Sequence, residues 1–189
     1  MDYMVQRMIV LMMVMVFSCL ISACRDTHHS PEQQMIGQRI VDAHLKRCAN
    51  DPITVNSIES ARDELANGAM KVNMSPKGCV QLTRSVSNGI IQDEITYDGV
   101  VNVKWMHGPP DKLFQYDENF DGFFEWQLSA HDDVDSTLDQ MIISQYDSIT
   151  QRVVFRKTYT HDDSNIFVQI EKENGDGVLE LERKFSMPI

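Results

Sequence analysis

Asp117, Glu118, Asn119, Phe120, Asp121 and Gly122 spell D-x-N-x-D-G, the first half of an EF-hand-like calcium loop. Carboxylate and amide oxygens at alternate positions suit a hard cation, and the glycine permits the sharp turn such a loop makes. Glu125 stands at the ninth position of that pattern. Leu128 occupies the twelfth, where a bidentate glutamate belongs, and the segment after the loop reads as strand rather than helix. Asp117, Asn119 and Asp121 are therefore a calcium candidate of low affinity, in the ~10⁻⁴–10⁻³ M range of extracellular modules. The competing reading is a hairpin turn closed by Asx hydrogen bonds and glycine.

Histidines supply the next candidates. His131, Asp132 and Asp133 recur in the same order as His161, Asp162 and Asp163. If the two histidines stand on strands with one strand between them, they lie about 10 Å apart at the backbone. A shared ion with metal–nitrogen bonds of about 2.0–2.1 Å does not span that gap. Nucleophilic catalysis has no local signature, since neither G-x-S-x-G nor C-x-x-C occurs. No residue is assigned a catalytic role. An enzyme would require carboxylates converging with His107 or His131 in a cleft. Trp105, Phe124, Trp126 and Tyr159 read as core aromatics more readily than as a ligand pocket.

The elements that position these groups follow from hydrophobic period. Ser30, Pro31 and Gln33 open a helix whose apolar face, Met35, Ile36, Ile40, Ala43 and Leu45, runs to about Arg47. Asn56 with Glu59 reads as the capping pair of a second helix, through Ile58, Ala61 and Leu65, that stops at Asn67 and Gly68. From about residue 69 the period becomes two. Cys79 to Val86, a turn at Asn88 and Gly89, and Ile90 to Tyr97 form a hairpin, and Asp98 and Gly99 turn the chain into Val100 to Trp105. Three six-residue loops follow, after Tyr116, Tyr146 and Glu171, the first two in register over 30 residues. The fold class expected is mainly β with two N-terminal helices (α+β). An antiparallel β-meander of about ten strands would form a strongly curved sheet or an open barrel. The charges of the last strand, Glu180, Glu182, Arg183 and Lys184, suit an exposed edge.

The N-terminus carries the address. Arg7 precedes an apolar run from Met8 through Leu20 and Ile21, followed by the small residues Ser22 and Ala23, then Cys24 and a polar stretch. The ending Leu20, Ile21, Ser22, Ala23, Cys24 resembles the lipobox of bacterial lipoproteins. That resemblance implies cleavage before Cys24, a diacylglyceryl group on its sulfur and an acyl chain on its new amine, a stable membrane anchor. Arg25 in place of Asp after the cysteine resembles an outer-membrane address. A plain signal peptide or a simple N-terminal membrane anchor is the other reading of the same leader. The domain plan is then a leader over 1–23, a polar tether over 24–30, and one domain over 31–189, helical to 68 and built of hairpins from 69.

In that plan two cysteines stay in the domain, Cys48 and Cys79. An even pair in an exported protein reads as a disulfide, worth about 3 to 4 kcal/mol for a loop of about 30 residues, against two buried thiols. The formal net charge is −11, from 28 acidic and 17 basic residues. Such a surface repels phosphate backbones, which excludes nucleic acid as an expected partner. The expected function is a lipid-anchored cell-envelope protein, a non-enzymatic binding or structural module facing an envelope protein or small ligand. No cofactor is expected beyond the calcium candidate. The alternative is an envelope hydrolase with its site on a concave sheet face.

Overall fold

The computed structural model describes residues 31–108, 111–132, 138–162 and 164–188. Cys24, the leader and the tether lie outside them. The chain divides into two compact units, residues up to 85 with 93–101, and residues 86–92 with 102–189.

In the first unit, helix α1 (Pro31–Arg47) turns a stripe at four-residue spacing inward: Ile36, Ile40, His44 and, just past its end, Cys48 are each 2–4% exposed. Residues four apart stack along one helical face, so this spacing makes a narrow buried seam. Helix α2 (Val55–Ala66) is capped by Thr54 rather than by the expected Asn56. The Thr54 hydroxyl accepts from the Ser57 N–H at 3.1 Å, and the Ser57 hydroxyl lies 2.8 Å from the Thr54 N–H. Two capping patterns overlap here, and the upstream one wins because a reciprocal pair satisfies both donors. Strand β1 (Lys71–Asn73) pairs antiparallel with β2 (Val80–Ser87), and Val72, Met74, Val80 and Tyr97 complete this unit's core.

The remaining strands are β3 (Ile90–Tyr97), β4 (Val100–Gly108), β5 (Asp111–Tyr116), β6 (Trp126–Asp132), β7 (Leu138–Tyr146), β8 (Val153–His161), β9 (Asn165–Glu173) and β10 (Leu179–Pro188). The ten form one antiparallel sheet in sequence order, β1 to β10, the meander expected. Among the described residues the first and last strands do not pair, so the sheet is not closed and the expected barrel or strongly curved sheet is not borne out. Closure requires the first and last strands to pair. Here β1 is three residues long, and β10 pairs with β9 alone among the described residues.

Within the second unit the register sorts side chains cleanly. Trp105, Phe114, Leu128, Ile143, Lys157 and Ile170 form one cross-strand row on an apolar face. The neighbouring row on the other face, Gln115, Gln127, Ser144, Arg156 and Glu171, is polar. Long cationic side chains help cover the apolar face: Lys157 Nζ sits 5.1 Å from the Tyr159 ring centroid and Arg183 Cζ 5.2 Å from that of Phe185. Lys157 is itself buried, and both cations face aromatic rings that attract them. Ile143 and Val168 on this face are fully buried.

The edge strand β10 is blunted twice. Glu182 pairs with Lys172 at 2.9 Å, and a bulge between Leu181 and Arg183 shifts the ladder. The shift leaves Leu181 opposite Glu171 on the polar face, whereas Phe185, opposite Val168, stays on the apolar one. No straight apolar edge is offered to another strand.

Candidate functional site

The β5–β6 loop gathers the acidic groups singled out in the sequence. Tyr116 pairs directly with Trp126, so residues 117–125 all lie in the loop and the strand begins three residues later than the apolar pattern from Phe123 indicates. The reason is Glu125, whose carboxylate folds back into the loop. It accepts from the Glu118 N–H and from Asn119 Nδ2, both at 2.7 Å. Asp117 is fully buried and accepts from the N–H groups of Phe120 at 2.5 Å and Gly122 at 2.8 Å. Its own N–H donates to the Asn102 carbonyl at 2.8 Å, and Asn102 Nδ2 donates to the Asp117 carbonyl. Asn119 and Asp121 each accept from the N–H two residues on. Phe120, at φ 64°, and Gly122, at φ 92°, take the left-handed conformations that let the chain wrap around these carboxylates.

Carboxylate oxygens of Asp117, Asp121 and Glu125 come within 4.8 Å of one another. Burial, and then the charges of Asp117 and Asp121, push the Glu125 carboxyl above its ordinary value. The loop therefore concentrates negative charge and holds it with backbone donors. Both Asp117 oxygens are already engaged, so a cation would compete with existing hydrogen bonds for that ligand. Asp117 and Asp121 come together with Glu125, and Asn119 is tied to that carboxylate through its Nδ2.

A related arrangement recurs where the sequence reading did not place one. In the β9–β10 loop, Asn174 Oδ1 accepts from the Asp176 N–H at 3.0 Å and Asn174 Nδ2 donates to Glu180 at 2.7 Å. These are the contacts of Asn119 with Asp121 and Glu125, on the shared spacing N-x-D-G-x-x-E. Lys172, opposite Glu180 in the ladder near the end of β9, stands where Asp117 stands in the first loop, and among the described residues no third acid joins. The β7–β8 loop, matched by sequence register, is built differently. Asp147 Oδ1 accepts from the Ile149 and Thr150 N–H groups and the Thr150 hydroxyl. Those Thr150 bonds chiefly hold its carboxyl below the ordinary range. Between paired strand residues the β7–β8 loop spans 147–152, the six residues expected, whereas the β5–β6 loop is longer, 117–125, and the β9–β10 loop shorter, 174–178.

Of the histidines, His131 Nδ1 lies 2.8 Å from Asp111 Oδ1 across the β5–β6 ladder. This pair sits in an open groove of about 310 Å³ that Leu113, Ser129, Gln140 and Ile142 also line. Both side chains are more than half exposed, at 51% and 77%, so the pair is strongly solvated and weak. His107 and His161 do not join it. Register places His107 opposite Lys112, on the apolar face with Trp105, and His161 one residue beyond the row of His131, Gln140 and Thr160, on the other face. The His131/His161 repeat is a likeness of sequence that strand alternation separates. Trp105 and Trp126 are core, 6% and 3% exposed.

In the first unit Cys48 and Cys79 form a disulfide across 31 residues of chain. Asp51, which the sequence reading passed over, lies beside it. Its carboxylate accepts from the Ser75 hydroxyl and Lys77 N–H at 2.7 Å and the Cys79 N–H at 2.9 Å. Burial works to raise its pKa, but the hydrogen bonds from Ser75, Cys79 and Lys77 outweigh it and hold the carboxyl below its usual value. This cluster fastens the loop before β2 to the end of α1. Comparison of the chain with protein-family descriptions, curated proteins and solved structures found no match.

Proposed function

We propose that the chain is an exported lipoprotein, acylated at Cys24, whose sheet acts as a non-enzymatic binding or structural module at the membrane surface of a bacterial envelope, the outer membrane in particular. The observation that carries this reading is the lipobox-like ending at Cys24. The Cys48–Cys79 bridge supports it, because such bonds persist in oxidising compartments outside the cytoplasm. Among the described residues no helix is long and apolar enough to cross a membrane. Calcium is the ion the oxygen-only loop of Asp117, Asn119, Asp121 and Glu125 would accept, at low affinity. The partner is an envelope protein or small ligand, and the charge of −11 argues against nucleic acid.

The test is metabolic labelling with fatty acid in a bacterial host. The wild-type chain takes up label and Cys24→Ala does not; equal labelling of the two overturns the anchor. The second reading, an envelope hydrolase, is favoured by one observation, the Asp111–His131 contact in a groove that also holds Ser129. Ester hydrolysis that disappears in His131→Ala would select it over the binding module.

A further inference from the structure

The buried seam of α1 runs Ile36, Ile40, His44, Cys48, and an imidazole occupies a place where the pattern calls for hydrocarbon. His44 is 4% exposed, its Nδ1 has no hydrogen-bond partner among the described residues, and its ring lies 5.7 Å from that of Tyr97 in β3. Tyr97 is itself 1% exposed. A neutral imidazole tolerates this seat with Nδ1 as a bare acceptor, whereas an imidazolium would bring a charge and an unsatisfied Nδ1–H donor into it. Two influences favour the charged form. His44 is in the last turn of α1, where the helix dipole attracts cations, and Asp51 lies nearby. Burial outweighs the opposing pull of Asp51 and holds the imidazole below its ordinary value of 6.5.

We propose that His44 is an acid-responsive latch, whose protonation releases α1 from its seat against β3 while the Cys48–Cys79 bridge keeps the helix attached. The charged and titratable groups set around it are few. Tyr97 faces it from β3, Asp51 from the turn after α1, and Lys46 and Arg47 share its helical turn and disfavour a third cation there. Asp51 already accepts three hydrogen bonds and remains ionised well below neutrality, so His44 is the member of this set that changes charge in mild acid. Because its folded-state pKa is depressed, the seat is fully stable above 6.5 and weakens as pH falls through the folded value. The latch does not depend on acylation at Cys24.

Amide hydrogen exchange on the full chain tests it, corrected for the intrinsic pH dependence of exchange. Between about pH 7.5 and about pH 5, protection over 36–48 should fall about tenfold or more, while residues 141–145 of β7 keep theirs. His44→Phe keeps a ring against Tyr97 and removes the proton, so its α1 protection should stay flat over the same range. An unchanged wild type, or the same acid response in His44→Phe, overturns the latch. Should that variant not fold, NMR titration of the His44 ring in the wild-type chain decides. A midpoint below 6.5 that coincides with α1 loosening supports the proposal, and a midpoint at or above 6.5 contradicts it.

Discussion

Asp51 and Asp117 are both buried carboxylates that accept hydrogen bonds from loop backbone, yet they fasten the chain on different scales. The partners of Asp51 are Ser75, Lys77 and Cys79, 24 to 28 residues away, and the adjoining disulfide spans 31. Those of Asp117 are Phe120 and Gly122, three and five residues away. The first unit joins helices to strands through irregular chain, so its closure is long-range and its fastenings work as a group. The second unit is a run of hairpins, and Asp117, Asp147 and Asp162 each close a turn by accepting from backbone N–H groups a few residues on. Loop-closure entropy explains the division, since distant contacts carry a larger ordering cost and need stronger ties.

The sharpest way to break this contrast is to remove the bridge. Cys48→Ala with Cys79→Ala should cost about 3–4 kcal/mol, with the loss of hydrogen-exchange protection confined to α1, α2 and β1–β2. An equal loss in β6–β9 would show that the two units do not differ in this way. Next in size is Asp117→Ala, which strips the acceptor from two loop N–H groups and should cost about 2 kcal/mol, read from urea unfolding, with deprotection centred on 117–125.

A smaller effect comes from pH and has opposite signs in two loops. Glu125 is raised by burial, so its loop is most stable below about 4.5 and is weakened as pH rises through the raised value. Asp147 is lowered by its Thr150 bonds, so its loop is stable above about 3.8 and weakens as pH falls. Exchange at the Glu118 and Thr150 amides should therefore move in opposite directions on acidification, and parallel movement would refute the assignment. Smallest is calcium. At about 10 mM and a dissociation constant of about 1 mM, linkage predicts about 1.4 kcal/mol of stabilisation that Asp121→Asn diminishes. No rise in melting temperature would leave the loop as an Asx-closed turn.

Much of this contrast was legible wherever one local rule acted alone. The N-G and D-G pairs at Asn88–Gly89 and Asp98–Gly99 take positive φ at both residues and set β3 at Ile90–Tyr97 as read. Proline at the first turn and the four-residue apolar spacing likewise located α1. Legibility failed where two local signals overlapped or a side chain acted at a distance. Thr54 with Ser57 out-competed Asn56 with Glu59 as a cap, and Glu125 drew Phe123 and Phe124 out of a strand their apolarity favoured. The 30-residue likeness between His131 and His161 carried no information about faces, because the ladder through β7 sets Thr160, not His161, in the row of His131. Asp51 gave no signal, since all three of its donors lie more than twenty residues downstream. The Asn174–Glu180 contact was readable from the N-x-D-G-x-x-E spacing it shares with the first loop.

Intact-mass spectrometry of the chain recovered from a bacterial envelope tests the account most directly. It should find a polypeptide starting at an acylated Cys24, two hydrogens lighter than its dithiol form because Cys48 and Cys79 are joined. An uncleaved leader, an unmodified Cys24, or free thiols at both Cys48 and Cys79 would contradict it.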